Sequence, residues 1–187
     1  MRPTEHRTYS TALQIRAVGD GLTISGLAAP FDTPTEISDS MGTYVETIAP
    51  GAFARTIAER ADRVKVYAQH DTGQLPVGKA VSLTESRDGL RAVLQLSNTS
   101  AGRDLATLAR DGVVTGLSIG FQAIRDSWNT QRAERRLTEI RLQEISLTPF
   151  PAYATAQVTS VRSEPADLER PFLEVARRRL DLHTRSF

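Results

Sequence analysis

The sequence predicts a mainly β domain with flanking helices, of the α+β class, folded as a compact and mostly antiparallel barrel of seven or eight strands. Three observations support this prediction. Segments in which apolar and polar residues alternate recur along the chain, turn signals separate them, and only two segments of the body show helical periodicity. With 187 residues, 40% of them hydrophobic, the chain has enough apolar side chains for one domain with a core and a tail.

The first half of the chain is read as strands separated by turns. Residues 1–10 are polar and are expected to form a flexible N-terminus. The turn signal Gly19-Asp20-Gly21 lies between two alternating segments and predicts a hairpin. The elements predicted up to residue 70 are strands over 11–18 and 22–29, a loop over 29–40, a strand over 43–48, a helix over 50–60 and a strand over 64–69, with His70 in register at its end.

The second half contains the remaining helix of the body and the strands that follow it. We expect Leu105 and Leu108 to face inward from this helix, with Ser100 as its N-cap. The predicted elements are a hairpin of strands 77–83 and 89–96, a helix over 100–111, a strand over 116–125, an exposed loop over 127–135 and a strand over 136–147. The folded body therefore spans residues 11–158, and residues 159–187 form a linker and a helical or disordered tail.

Composition excludes several classes of function. The formal net charge of +1 gives no electrostatic reason to expect nucleic-acid binding. No segment has the length and apolar character of a membrane span. The chain has no cysteine, and its three histidines lie far apart at positions 6, 70 and 183. We therefore expect no thiol chemistry, no metal and no cofactor.

The segment from Thr115 to Phe121 is the first candidate for chemistry. On a strand, its apolar side chains point to one face, and Ser118 lies on the other face between Gly116 and Gly120. Two flanking glycines leave this face nearly bare, so another backbone can approach the hydroxyl closely. A nucleophilic serine needs such access. A strand with one crowded face, in which the glycines mark a bulge or a bend, is the alternative.

A nucleophilic serine also needs a base. Histidine suits this role because its ordinary pKa of about 6.5 lies near neutral pH. His70 is the only histidine that we expect in the folded body, since His6 and His183 lie in the expected tails. The alternative for His70 is a surface residue or a core residue with satisfied hydrogen bonds.

The base in turn needs an acceptor that fixes its tautomer. Glu144 is predicted to face inward from its strand, on the same face as Ile140 and Leu142, where a carboxylate must be paired. His70 is one possible partner, and an arginine is the other. Asp71 is the rival acceptor, although adjacent strand residues point to opposite faces unless the chain turns there. Glu46 is a weaker rival.

Taken together, these segments resemble the prohead proteases of tailed bacteriophages, the capsid-maturation serine proteases related to herpesvirus assemblins. The resemblance covers roughly residues 20–160, and its motifs stand in the order found in that family. They are Gly26-Leu27-Ala28, Pro30-Phe31, Glu46-Thr47-Ile48-Ala49-Pro50-Gly51-Ala52-Phe53, Gln69-His70-Asp71, Pro76-Val77-Gly78, Gly89-Leu90, Gly116-Leu117-Ser118-Ile119-Gly120-Phe121, Glu144-Ile145-Ser146-Leu147 and Pro149-Phe150-Pro151-Ala152. Each motif alone is weak, whereas the ordered set is specific.

The resemblance implies a herpesvirus-protease-like fold and a serine endopeptidase with Ser118 as nucleophile and His70 as base. The herpesvirus relatives use a second histidine as third member; the expected body of this chain offers none, so Glu144 is the predicted third member. The implied partners are the phage major capsid protein, the scaffolding protein or domain, and the chain itself as a substrate. The implied location is the procapsid in the host cytoplasm, and a homo-oligomer is compatible with the resemblance.

Two alternatives from other functional classes stay open on the sequence alone. The chain could be a catalytically inactive barrel that acts structurally in capsid assembly, or an adaptor that binds scaffold and uses the motifs only for packing. A structural barrel has no need of a paired serine and histidine, which favours the protease. By the same resemblance, residues 160–187 could be a short version of the terminal segment that, in family members, binds the nascent capsid and is later removed by self-cleavage.

Overall fold

The computed structural model describes residues 3–18, 21–39 and 42–149. In these residues, ten strands form one curled, open sheet that two α-helices and one short 3-10 helix flank. The strands are β1 (Glu5–Ser10), β2 (Gln14–Val18), β3 (Gly21–Pro30), β4 (Thr35–Asp39), β5 (Gly42–Ile48), β6 (Lys65–Ala68), β7 (Gly78–Ser86), β8 (Gly89–Leu96), β9 (Gly116–Trp128) and β10 (Glu134–Thr148). The helices are α1 (Ala54–Arg60), the 3-10 helix Ala61–Arg63 and α2 (Ser100–Arg110).

The sheet runs in the order β1-β9-β10-β6-β7-β8-β3-β2, and β5 and β4 branch from β10. The pairs of β10 with β5 and with β6 are parallel, and the other pairs are antiparallel. The prediction of a mainly β, mostly antiparallel fold with flanking helices is confirmed. The strand count is higher than expected, because Glu5–Ser10 forms β1 where the sequence predicted a flexible terminus and Thr35–Asp39 forms β4 where it predicted a loop.

The core lies on the inner face of the curled sheet. Leu117, Ile119 and Phe121 of β9 are fully buried in it, as their alternation predicts. β3 comes close to β9 at Gly26, where a side-chain Cβ would lie 3.2 Å from Leu117 Cδ1. Here glycine permits the close approach of the two strands.

Helix α1 supports the middle of β10. The first residues of β10 pair with β5 and the last with β6, which leaves a segment between them without a strand on that side. Thr56 of α1 fills this gap, because its buried hydroxyl donates to the Ile140 carbonyl at 2.8 Å and accepts the Leu142 N–H at 3.1 Å. A side chain of the helix thus satisfies backbone groups of β10 that no strand reaches.

The N-terminal segment differs from the prediction. Glu5–Ser10 forms β1, which pairs with β9, so the expected flexible N-terminus is corrected for these residues. A cluster of ion pairs fixes the strand: Arg7 Nε lies 2.7 Å from Glu46 Oε1, and Arg135 Nη1 lies 3.1 Å from Glu46 Oε2 and 2.7 Å from Glu5 Oε2. Burial opposes the charge on Arg7, but the hydrogen bond and charge of Glu46 raise its pKa above the ordinary value. These contacts are long-range, which is why local polarity suggested a frayed end.

Two details of α2 also differ. Its N-cap is Thr99, whose hydroxyl accepts the Gly102 N–H at 3.2 Å, rather than Ser100. Leu105 is buried as predicted, whereas Leu108 is exposed. No helix of the described residues is long and apolar enough to cross a membrane. The predicted linker and tail over 159–187 lie outside the described residues.

We predict that Glu46→Ala strongly destabilises the protein. Removing this carboxylate leaves Arg7 and Arg135 buried with fewer partners, and breaking a buried ion pair typically costs about 3–5 kcal/mol. Urea unfolding measures the loss. Asp88→Ala is the matched control, because the Asp88–Arg91 pair is exposed and its removal should cost less than about 1 kcal/mol. Equal losses in the two variants would contradict the prediction.

Candidate active site

The three side chains predicted to act together come from three elements that meet at β10. Ser118 lies on β9 and Glu144 on β10, which pair directly, whereas His70 follows β6 on the other side of β10. His70 Nε2 lies 2.5 Å from Ser118 Oγ, and His70 Nδ1 lies 2.5 Å from Glu144 Oε1. The structure thus brings all three residues into one hydrogen-bonded chain.

His70 reaches this position through a turn rather than through strand register. β6 ends at Ala68, and Gln69 and His70 adopt left-handed backbone conformations with φ of 52° and 60°. Such conformations cost roughly 1–3 kcal/mol each in residues other than glycine. The Gln69 N–H donates to the Leu147 carbonyl at 3.1 Å, and the His70 N–H donates to Ser146 Oγ at 3.1 Å. Hydrogen bonds to β10 therefore hold the turn, and the predicted register of His70 with the strand is corrected.

Glu144 faces the site because β10 shifts its register. Leu142 pairs with Phe121, whereas Glu144 pairs with Gly120, the preceding residue of β9. Since adjacent residues of β9 point to opposite faces, Leu142 faces the core and Glu144 faces Ser118. Glu144 is buried, as the sequence predicted, but its predicted place on the face of Leu142 is wrong.

Two neighbours complete the setting of Glu144. Gly120 leaves room for the carboxylate, since a Cβ at this position would fall on Glu144 Oε1. The Ser146 hydroxyl donates to Glu144 Oε2 at 2.7 Å. Ser146 Oγ also accepts a hydrogen bond from the backbone N–H of His70. Sequence reasoning missed Ser146. Its spacing of two residues from Glu144 was the available signal, because strand residues at this spacing share a face.

Glu144, rather than either rival carboxylate, contacts the imidazole of His70. Asp71 lies exposed in the turn after His70, whose Nδ1 already contacts Glu144. Glu46 is buried against Arg7 and Arg135. Among the described residues, the hydrogen-bond partners of the Glu144 carboxylate are His70 and Ser146. The alternative of an arginine partner is therefore wrong.

A second histidine enters the site from β1. His6 stacks on His70 with ring centroids 4.1 Å apart and ring planes 12° apart. The prediction that His6 lies in a tail is therefore corrected. Burial lowers the pKa of His6 from its ordinary value; His70 and Arg7 lower it as well, and Glu144 acts in the opposite direction.

Ser118 is covered rather than open. Its side chain is fully buried, and the Thr8 hydroxyl of β1 donates to Ser118 Oγ at 2.7 Å. Thr8 and Ser118 are direct partners in the β1–β9 pairing. The predicted bare face around the two glycines is thus occupied by Glu144 on one side and by β1 on the other.

The ligand atoms of His6, His70 and Glu144 lie within 4.8 Å of one another, a spacing that a metal ion could bridge. The two imidazoles are nearly parallel, however, so their in-plane lone pairs do not converge on one point. His70 Nδ1 and Glu144 Oε1 also contact each other directly. The arrangement is suited to proton transfer, with the serine hydroxyl donating to Nε2 and the Nδ1–H donating to the carboxylate.

Known proteins resemble this chain in sequence and in fold. A family model described as "Caudovirus prohead serine protease" matches residues 11–170. The prohead protease of Enterobacteria phage HK97 is 34% identical over 154 residues, which cover 80% of this chain and 65% of that protein. This chain therefore spans slightly less than two thirds of that relative. The capsid assembly protease gp21 of bacteriophage T4 has a similar fold, with a TM-score of 0.59 and 11% identity over 78% of this chain and 96% of the other.

We predict that Gly120→Ala displaces Glu144 from His70. The added methyl group would overlap the carboxylate, and such overpacking typically costs about 1–3 kcal/mol. Proton NMR should show the loss of the low-field resonance of the His70 Nδ1–H, and urea unfolding should show reduced stability. Gly73→Ala, in the exposed turn after His70, is the control and should change neither measurement. A retained resonance at unchanged stability would refute the prediction.

Proposed function

The chain belongs to the caudovirus prohead serine protease family, as its motifs predict, and on this basis we propose that it is a serine endopeptidase. In this proposal Ser118 is the nucleophile, His70 the general base and Glu144 the residue that orients the base. The main support is the continuous hydrogen-bonded chain from Ser118 Oγ through both ring nitrogens of His70 to Glu144 Oε1, with both contacts at 2.5 Å.

The chemistry follows from this geometry. Ser118 Oγ attacks the carbonyl carbon of the scissile peptide while its proton passes to His70 Nε2. The resulting imidazolium then gives this proton to the leaving amine nitrogen as the C–N bond breaks. Water, deprotonated by the same nitrogen, then attacks the acyl ester, and His70 returns that proton to Ser118 Oγ as the C–O bond breaks. A positioned base of this kind typically contributes about 100-fold to 10,000-fold to the rate.

Glu144 and Ser146 keep the base in the tautomer that this reaction needs. The Glu144 carboxylate accepts the Nδ1–H, which leaves Nε2 as the acceptor for the serine proton. Ser146 donates to the second carboxylate oxygen and also accepts the His70 N–H. One hydroxyl thus links the backbone of the base to the residue that orients it.

We further propose that the substrates are the scaffolding protein or the scaffolding segment of the major capsid protein, and the chain itself. Cleavage would then take place inside the procapsid, in the host cytoplasm. Family membership supports this assignment, as does the similar fold of gp21 of bacteriophage T4, which is a capsid assembly protease. An inactive assembly barrel or a scaffold-binding adaptor is less well supported, because neither role requires a serine, an imidazole and a carboxylate in hydrogen-bonded sequence.

Access to the nucleophile requires Thr8 to move. The Thr8 hydroxyl occupies the space next to Ser118 Oγ, and no part of the Ser118 side chain is exposed. A carbonyl carbon that bonds to Oγ must therefore replace Thr8 at this contact. Rotation of the Thr8 side chain, or a local shift of β1, opens the way.

We predict that Ser118→Ala lowers peptide cleavage by at least about 10,000-fold, since the members of a triad act as a unit. The assay incubates the protein with the major capsid and scaffolding proteins of the same phage and identifies cleavage sites by mass spectrometry. His70→Ala should be equally inactive, and the double variant should lose little more.

The control pair for this prediction is Glu144→Gln and Asp71→Asn. The Gln variant should lose activity strongly at an unchanged melting temperature, because an amide does not enforce the required tautomer. The Asn variant should stay within about 3-fold of the unaltered protein, since Asp71 is exposed and Glu144 holds Nδ1. Cleavage that persists in Ser118→Ala would exclude the proposed function.

We also predict that Thr8→Ala speeds the reaction of Ser118 with a small fluorophosphonate. The change removes one hydrogen bond, worth about 1 kcal/mol, together with the methyl and hydroxyl groups beside Oγ, so we expect a gain of about 3-fold to 10-fold. Stopped-flow measurement of the rate at which Ser118 is modified checks this. Thr8→Val removes the hydroxyl at nearly constant volume and should gain less. A slower reaction in Thr8→Ala would mean that Thr8 assists the nucleophile rather than covering it.

A further inference from the structure

His6 has no role in the mechanism above, yet its ring lies flat against the proposed base. The ring centroids of His6 and His70 are 4.1 Å apart, and the planes differ by 12°. His6 also precedes residues 11–170, the part of the chain that the family model matches. Family membership therefore does not account for this contact.

The fold holds His6 in place independently of His70. In the β1–β9 pairing, His6 is opposite Gly120 and Thr8 is opposite Ser118. The alternate residues of β1 point to the other face, where Glu5 and Arg7 join the buried ion pairs with Glu46 and Arg135. One face of β1 is thus anchored in the body, and the other presents His6 to the site.

Hydrogen bonds to β10 hold the backbone of His70, but its imidazole needs a further contact to fix the tilt of the ring. His70 lies in a left-handed turn, and the residues from Asp71 to Pro76 that follow it are exposed. Two hydrogen bonds, to Ser118 and Glu144, fix the imidazole within its plane. Neither bond prevents the ring from tilting out of that plane, whereas a ring stacked on its face does.

We propose that His6 is a positioning residue for His70, holding the imidazole in the plane that joins Ser118 to Glu144. This inference rests on the proposed function. His6 touches neither the nucleophile nor the carboxylate in a hydrogen bond of the described residues, so it acts through the base. Its contribution belongs to the step in which His70 takes and returns the serine proton, and therefore to kcat.

The charge of His6 decides whether the stack helps that step. Three charged or titratable groups act on it: His70 from the turn after β6, Glu144 from β10 and Arg7 from its own strand. Asp39 of β4 lines the groove beside it. Because partial burial, His70 and Arg7 lower the pKa of His6, the neutral form is favoured at neutral pH and offers an uncharged ring face to the imidazolium that forms on His70. At acidic pH a protonated His6 instead opposes that second positive charge.

The decisive experiment compares His6→Ala with His6→Phe in the full chain. The Phe variant keeps a flat ring on His70 and cannot titrate, whereas the Ala variant leaves the imidazole free to tilt. We expect His6→Ala to lose about 10-fold to 100-fold in kcat with little change in KM, and His6→Phe to return to within about 3-fold of the unaltered protein. Thr84→Ala, at an exposed position of β7, is the control and should have no effect on kcat.

The pH profile supplies a readout that a purely structural role would not change. In the unaltered protein, protonation of His6 should steepen the fall of kcat/KM at acidic pH. In His6→Phe this contribution is absent, so the profile becomes shallower. In the unaltered protein, the His70 Nδ1–H resonance should also broaden as His6 takes up its proton, a measurement that needs no variant.

Each outcome bears on the inference. If His6→Ala keeps full kcat, or if His6→Phe is as impaired as His6→Ala at an unchanged melting temperature, the positioning role is refuted. A His70 resonance that does not respond to protonation of His6 refutes it as well. Ser118→Ala separates the two proposals: if that variant is inactive while His6→Ala is fully active, only the role of His6 fails. If Ser118→Ala still cleaves, the proposed function fails first.

Discussion

The site depends on one shift of register in β10. Before the shift, Leu142 pairs with Phe121 and points into the core. After it, Glu144 pairs with Gly120 and Ser146 with Ser118, so both side chains lie on the opposite face of the sheet. Without the extra residue, the alternation of the strand would place the carboxylate in the core, where it would need another partner. A β-bulge thus turns a core strand into a strand that supports both the candidate base and the candidate nucleophile.

The second requirement is the turn after β6, which holds His70, the candidate base, outside regular secondary structure. A strand continued through Gln69 and His70 would carry the imidazole away from Ser118, so the chain turns in two left-handed residues. The strain of this turn is offset by bonds to β10, through the Leu147 carbonyl and the Ser146 hydroxyl. Local strain that surrounding contacts hold in place is common where a side chain must be aimed at a reacting group.

The N-terminal strand connects stability with the site. The face of β1 that carries Arg7 stabilises the fold through Glu46, while the opposite face brings His6 to His70 and Thr8 to Ser118. Perturbing the buried ion pairs is therefore expected to perturb the residues around Ser118 as well. Because the Thr8 hydroxyl covers Ser118 Oγ, the described conformation is one in which the hydrogen-bonded chain is assembled but the candidate nucleophile is shielded.

The sequence by itself determined most of the strand pattern, the helix before β6, and the choice of the three candidate residues. These depend on local signals: alternation buries Leu117, Ile119 and Phe121, and the ordered motifs single out Ser118, His70 and Glu144. Polarity alone misled at residues 5–10, because the charged partners that hold this strand, above all Glu46 and Arg135, lie far along the chain.

Only the tertiary structure decided which face Glu144 occupies, how His70 approaches Ser118, and that His6, Thr8 and Ser146 surround them. A bulge depends on pairing with β9, and a left-handed turn depends on hydrogen bonds from β10, so neither leaves a periodic signal in the sequence. Because the chain turns after Ala68, strand alternation does not decide between Asp71 and Glu144, and the contact of His70 Nδ1 with Glu144 does. Periodicity reports which residues are buried, whereas the meeting of distant side chains is set by the packing of strands against one another.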